Sequence, residues 1–322
     1  MYTGARLSCG SRGWSWSVGL ADVRLRVIVG PTAAGKSALA LALARSTGAA
    51  IISADSRQIY RGFDIGTAKP APNEQKEVPH VGIDVVGPEE RYSAARFAAL
   101  ARAAIADYSA LGREVVVVGG TGFYIRALVS PLFPEPELDE RHRAELGRYL
   151  ATLDTLTLRE WCVQLDPPRS TLGRTQLLRA LEIALLTGRR LSDHFRNQGE
   201  DEISARYLVV DPGKLLAQTI ENRVDKMLDG GWIDEVRRLV SGVPSAAPAW
   251  NATGYEMLRR YVAGDEALGL ASVRNRIIQD TRQYAKRQRT WFRHQLRGDM
   301  QTLDPNEPAA FDRALAWWRG DL

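Results

Sequence analysis

At 322 residues and 35.6 kDa the chain has room for one large or two ordinary domains, and 45% hydrophobic with 25% charged residues is the composition of a folded, soluble protein. Whole-chain disorder, collagen and coiled coil are excluded, and two cysteines, Cys9 and Cys162, cannot build a disulfide framework or a four-cysteine zinc site within one chain. The formal charge of +5 is unevenly placed: Arg274 to Arg297 holds seven Arg, Lys286 and one acid, Asp280, for a net +7, which leaves −2 for the rest.

Residues 1 to 22, rich in Gly, Ser and Trp and without periodicity, are expected to be a disordered extension or a misassigned start, too interrupted for a signal peptide. No run of about eighteen apolar residues occurs, so a cytoplasmic location away from membranes is expected. From Val23 the predicted order is a strand to Val29, a glycine loop, a helix from Lys36, a strand at Ala50 to Ser53, a long polar loop, a helix from Ala94, and a strand at Val115 to Val118. This alternation implies right-handed βαβ units around a parallel sheet. Pro131, Pro134 and Pro136 then read as a linker into a purely helical stretch. A strand signal returns at Arg206 to Val210, so the helical piece is expected to be inserted into the core. Amphipathic helices dominate beyond residue 212. The expected division is a phosphate-loop α/β core at 23–125 and 206–300, an inserted all-helical domain at 126–205, and a tail or helix at 301–322.

Gly30-Pro-Thr-Ala-Ala-Gly35-Lys36-Ser37 fits GxxxxGK[ST] between a strand and a helix, the context this phosphate loop requires. Its glycines let backbone N–H groups turn toward a phosphate, Lys36 reaches terminal oxygens, and the Ser37 hydroxyl is placed to ligate Mg²⁺. In an open parallel sheet, ligands sit at the carboxyl ends of the strands. Two further polar ends are therefore expected at the same site: Asp55 with Ser56, and Gly119-Gly120-Thr121-Gly122, whose hydroxyl and N–H groups suit a phosphate. Asp55 fits a base, a metal ligand through water, or a helix cap. Asp211, ending an apolar strand, is a rival for the metal. The four histidines have no partners at metal-ligand spacing. In the basic segment, Arg282, Lys286, Arg289 and Arg293 recur at helical spacing, which fits either a stripe along a polyanion or a solvated, salt-bridged helix.

These residues resemble one family, the tRNA dimethylallyltransferases. The shared features are GPTAAGKS at 30–37, SADSRQIYRGFDIGTAKP at 53–70, His80 and Asp84, VVVVGGTGFYI at 115–125, RALEI at 179–183, NRVDKML at 222–228, Gly254-Tyr255, and TRQYAKRQRTWFR at 281–293. They follow the family's order and span roughly 25 to 300.

The resemblance implies a phosphate-loop NTPase-like fold and transfer of a dimethylallyl group from dimethylallyl diphosphate to N6 of the adenosine beside the tRNA anticodon. It implies that Gly30, Thr32, Ala33, Gly35, Lys36, Ser37 and Arg223 hold the diphosphate with Thr121 assisting, that Mg²⁺ sits near Ser37, and that Asp55 meets the adenine amino group. It further implies tRNA contacts at Asp55, Ser56, Gln58, Arg179, Gly254 and Tyr255, beside the basic stripe. The inserted domain is expected to grip the anticodon arm, and the protein is expected to be a monomer. Thr219, Thr175-Gln176 and Glu256 depart from the family's commonest residues at positions tied to the diphosphate clamp and to tRNA. Two rivals remain: a kinase of a small metabolite, using the loop for ATP, and a non-catalytic RNA-binding module.

Overall fold

The computed structural model describes residues 24–130, 138–196, 203–264 and 269–321. The N-terminal extension and the proline linker expected above lie outside them. Six strands form a parallel sheet: β1 (Leu25–Val29), β2 (Ala50–Ser53), β3 (His80–Val81), β4 (Val115–Gly119), β5 (Ala205–Val210) and β6 (Asp299–Leu303), in the order β3-β2-β4-β1-β5-β6. Because side chains alternate between the faces and both faces are covered, the central strands are continuous apolar runs. Val27, Ile52, Val117 and Tyr207 pack on one face, against α3 (Ala94–Ala110) and α4 (Gly122–Val129). Ile28, Ile51, Val116 and Leu208 pack on the other, against α1 (Lys36–Thr47) and the last helix of the chain, Ala310–Arg319, which brings in Trp317 and Trp318.

Two boundaries need correction. The expected break at 126 falls inside α4, whose Ala127 and Leu128 are buried in the main core, so α4 belongs to the sheet layer. Residues 301–322 are not a tail. β6 extends the sheet beside β5, and the final helix packs on α1. β6 was illegible in the sequence because Asp-Met-Gln-Thr-Leu at an edge buries only one face and lacks an apolar run. β3, two residues long, vanished into the polar loop for the same reason.

The helical piece comprises α5 (Glu140–Thr152), α6 (Thr155–Leu165), α7 (Arg174–Thr187) and α8 (Leu191–Arg196). Leu150, Leu158, Cys162, Leu177 and Leu181 form a cluster of their own, separate from the clusters on the sheet. Its entry and exit meet where the Ile203 N–H donates to the Val129 carbonyl at 2.9 Å.

A third helical layer holds α9 (Leu216–Asp229), α10 (Trp232–Val240), α11 (Tyr255–Val262) and the 26-residue α12 (Leu270–Gln295). Its central contact is Glu235, a 4% exposed carboxylate. It accepts the N–H groups of Asp64 (3.1 Å) and Ile65 (2.7 Å) and the Tyr255 hydroxyl (2.6 Å). The segment 64–70 is thereby held against α10 and α11. Glu235→Ala should strand the buried Tyr255 hydroxyl and two part-buried N–H donors and lower unfolding free energy by roughly 3 kcal/mol. Urea denaturation checks this, and a loss below about 1 kcal/mol would show that water replaces the carboxylate.

Candidate active site

β1 ends in the phosphate loop, and close approach dictates its first residue: a Cβ on Gly30, whose φ is +149°, would lie 2.1 Å from the Val210 carbonyl of β5. Ala33 (φ +63°) and Gly35 (φ +84°) turn the chain into α1, whose first turn carries no acid to oppose an anion. Lys36 is 9% exposed and donates to the Pro31 carbonyl at 2.6 Å. Burial, and then the nearby Arg223, pull its ammonium down from 10.5 to about 7, while Asp55 opposes the shift. Burial also lowers the Arg223 guanidinium, again with Asp55 opposing. Lys36, Ser37, Thr32, Asp55 and Arg223 line one cavity, whose walls continue over Leu41, Ile51 and Val118. A second, smaller cavity shares Thr32, Asp55, Arg223 and Tyr284 with the first and extends toward Trp232 and Thr281. Asp55, Arg223 and Tyr284 thus stand where the two meet.

Asp55 closes a turn with one oxygen and leaves the other open. Its Oδ1 accepts the Arg57 N–H at 2.8 Å, and its other oxygen has no hydrogen bond to a described residue. Ser56 donates its N–H to the Thr121 Oγ at 2.9 Å. The Thr121 hydroxyl in turn donates to the Ser56 hydroxyl at 3.3 Å. The Tyr284 phenol is pushed up to about 12, first by burial and then by Asp55, so it stays a neutral hydroxyl. Gly119 and Gly122 are glycine for packing, since a Cβ would strike the Ala54 carbonyl and the Trp291 ring, each within 2.2 Å. Gly119 and Gly120 line the cavity that holds Lys36.

Several residues expected to meet tRNA are engaged elsewhere. Gln58 is 7% exposed, and its amide is used by Ser53, Thr67 and Ala68. Tyr255 is fully buried, between Glu235 and the Gly66 N–H, and Gly254 leaves room for the Trp232 ring. Arg179 pairs with Glu182, Arg282 with Glu221, and Arg289 with Asp211. The Arg289 pairing also removes Asp211 as a metal ligand. Lys286 and Arg293 are exposed and form no ion pair with a described residue. Along the one stripe formed by Arg282, Lys286, Arg289 and Arg293, salt-bridged cations therefore alternate with open ones. Among the departures, Thr219 bonds back to the Leu216 carbonyl, Gln176 caps the Gly173 N–H, and Glu256 pairs with Arg259.

For Mg²⁺, the fit rests on Ser37, an exposed hydroxyl beside the anion cradle. No cluster of three metal-ligating side chains exists among the described residues. That suits a cation held mainly by substrate phosphate oxygens and water.

Sequence reading missed Gln288, Tyr284 and the Lys69 latch. The buried Lys69 ammonium holds the Tyr60 carbonyl (2.6 Å), Asp64 (2.6 Å) and Asp84 (2.5 Å). For Gln288 a signal existed: Thr281, Ala285, Gln288 and Phe292 form the buried stripe of α12, and an amide in such a stripe needs partners.

A family model described as IPP transferase matches residues 58–295. The tRNA dimethylallyltransferase of Geobacter metallireducens is 40% identical over 305 residues, covering 91% of this chain and 96% of the relative. That of Anaeromyxobacter sp. is 43% identical over 279 residues, covering 84% and 92%. Among solved structures, the full-length tRNA isopentenylpyrophosphate transferase of Bacillus halodurans is 31% identical with a TM-score of 0.66, covering 92% of this chain and 96% of that one. A eukaryotic dimethylallyltransferase captured acting on tRNA is 28% identical with a TM-score of 0.78, covering 92% and 79%.

The charge state of Lys36 supplies a test. Below about pH 7 the ammonium is already protonated; above it the free site is largely neutral, and a bound dianion draws the proton back. At about pH 8, binding of an alkyl diphosphate should take up close to one proton, and affinity should fall as pH rises past about 7. Calorimetry in buffers of different ionisation heat measures the uptake, which Lys36→Gln should abolish.

Proposed function

Because the chain belongs to the IPP transferase family, we propose that it transfers a dimethylallyl group from dimethylallyl diphosphate to N6 of the adenosine beside the anticodon of tRNA, releasing diphosphate. The observation that carries this reading is a pair of cations, the buried Lys36 and the half-buried Arg223, facing the carboxylate of Asp55 where two cavities meet. The cations and the phosphate-loop N–H groups hold the diphosphate and stabilise the charge it gains as a leaving group. Ser37 would hold Mg²⁺, which supplies further charge neutralisation there. The apolar wall of Leu41, Ile51 and Val118 suits a hydrocarbon chain.

From the second cavity the adenine amino group reaches Asp55. The N6–C1 bond forms as the C1–oxygen bond to diphosphate breaks, and the free Asp55 oxygen accepts the N6 proton. The base has to leave its stack to enter. The separately packed helices α5 to α8 are the part that holds the anticodon arm, and Lys286 and Arg293 lie open to RNA phosphates. The protein works as a monomer in this reading. Nothing in the site favours a kinase, which would leave the inserted helices and the open cations of α12 without a role.

Labelled dimethylallyl diphosphate and unmodified tRNA, without ATP, should give labelled tRNA. Asp55→Ala should lower the rate roughly a hundredfold while tRNA affinity changes little. ATP turnover stimulated by a small alcohol would instead establish the kinase.

The split character of α12 predicts which cations RNA feels. Replacing Lys286 or Arg293 by Gln should each flatten the log–log salt dependence of tRNA binding by roughly one. Unchanged slopes in both, read by filter binding, would remove this face from the RNA path.

A further inference from the structure

We propose that Gln288 is a positioning residue for the transfer, a clip that sets the separation between the diphosphate cradle and the acceptor side of the site. The inference rests on the prenyl-transfer reading above. Gln288 is 6% exposed. Its Oε1 accepts the Thr32 N–H of the phosphate loop at 2.8 Å, and its Nε2 donates to the Gly120 carbonyl at 2.9 Å. One amide therefore joins the loop after β1 to the loop after β4.

The connection continues on the acceptor side. Thr121 follows Gly120 and accepts the N–H of Ser56, the residue next to Asp55. Tyr284, one helical turn before Gln288, lines both cavities beside Asp55. The donor-side loop and the carboxylate that meets N6 are thus referred to a single helix, α12. That helix is anchored at other points: Arg274 pairs with Asp225 at 2.5 Å and Arg282 with Glu221, both on the helix that carries Arg223, and Arg289 pairs with Asp211 at the end of β5.

The chemistry of the position is specific. Bridging an N–H and a carbonyl requires an acceptor and a donor on one short planar group, which the amide provides; a carboxylate lacks the donor, and a thioether lacks the donor and accepts only weakly. Gly120 is shaped to the same contact, because a Cβ there would lie 2.3 Å from Gln288 Nε2. Displacement between nucleophile and electrophile shifts of the order of an ångström cost large factors in rate, so a clip across that gap acts on the transfer step itself.

The test uses Gln288→Met, which removes both hydrogen bonds at similar length, and Gly120→Ala, whose Cβ meets only the far end of a flexible side chain and so displaces the clip while leaving the backbone in place. Single-turnover transfer is measured with both substrates saturating, per folded molecule, beside equilibrium binding of dimethylallyl diphosphate and of tRNA. Each variant should transfer roughly ten- to a hundredfold more slowly, with both affinities within about threefold of the unaltered protein, and the double variant should be no slower than the poorer single one. A purely structural glutamine predicts lower melting temperatures with full transfer per folded molecule, and that result in either variant would overturn the proposal, as would losses that multiply in the double variant. If Gln288→Met does not fold, Gly120→Ala decides by the same criterion. An unaltered protein that transfers nothing would sink the prenyl-transfer reading, a distinct outcome.

Discussion

Taking the Lys36 ammonium and the Arg223 guanidinium out of water costs several kcal/mol per ion, and the one carboxylate that faces both, Asp55, offsets only part of it. The imbalance keeps Lys36 poised near neutrality. Its natural relief is an anion of at least two charges. A carboxylate able to satisfy both cations would have stabilised the empty protein and left nothing for a substrate. The deficit of negative charge is therefore the feature on which binding depends, and the surrounding architecture serves to maintain it.

Maintenance falls to the long helix α12. Its buried stripe carries Gln288 to the phosphate loop, and Tyr284, on an adjoining face, stands beside Asp55 where the two cavities meet. Its flank carries Arg274, Arg282 and Arg289 to acids on neighbouring elements. These pairings use up much of the segment's positive charge internally and leave Lys286 and Arg293 outward. One segment thus serves the protein's packing with one set of cations and presents another to solvent. The clustered charge in the sequence reflects both uses.

The inserted helices show a different economy of contact. They bury their own cluster around Leu158 and Leu177, and the described residues on either side of the insertion meet in a backbone hydrogen bond between Ile203 and Val129. The proposed catalytic residues all lie outside it, so the cradle and the proposed grip on tRNA are held by separate packing.

The order of the central strands and helices, the insertion, and the cradle from Gly30 to Ser37 were legible in the sequence, because apolar runs, helical periodicity and a loop needing glycines are properties of contiguous residues. Lys36, Asp55 and Arg223 were also found there, through motifs that keep their order. What the sequence did not reveal depends on neighbours distant along the chain. β6 is a strand because β5 offers it an edge. Tyr255 and Gln58 looked like binding residues until Glu235 and Ser53 with the 67–68 carbonyls proved to occupy them. Whether Arg282 or Lys286 is free was decided only by where Glu221 lies. A side chain's type states which bonds it is able to make; the tertiary fold alone brings the partner within 3 Å, and so decides which of those bonds are already made within the protein and which are left for a ligand.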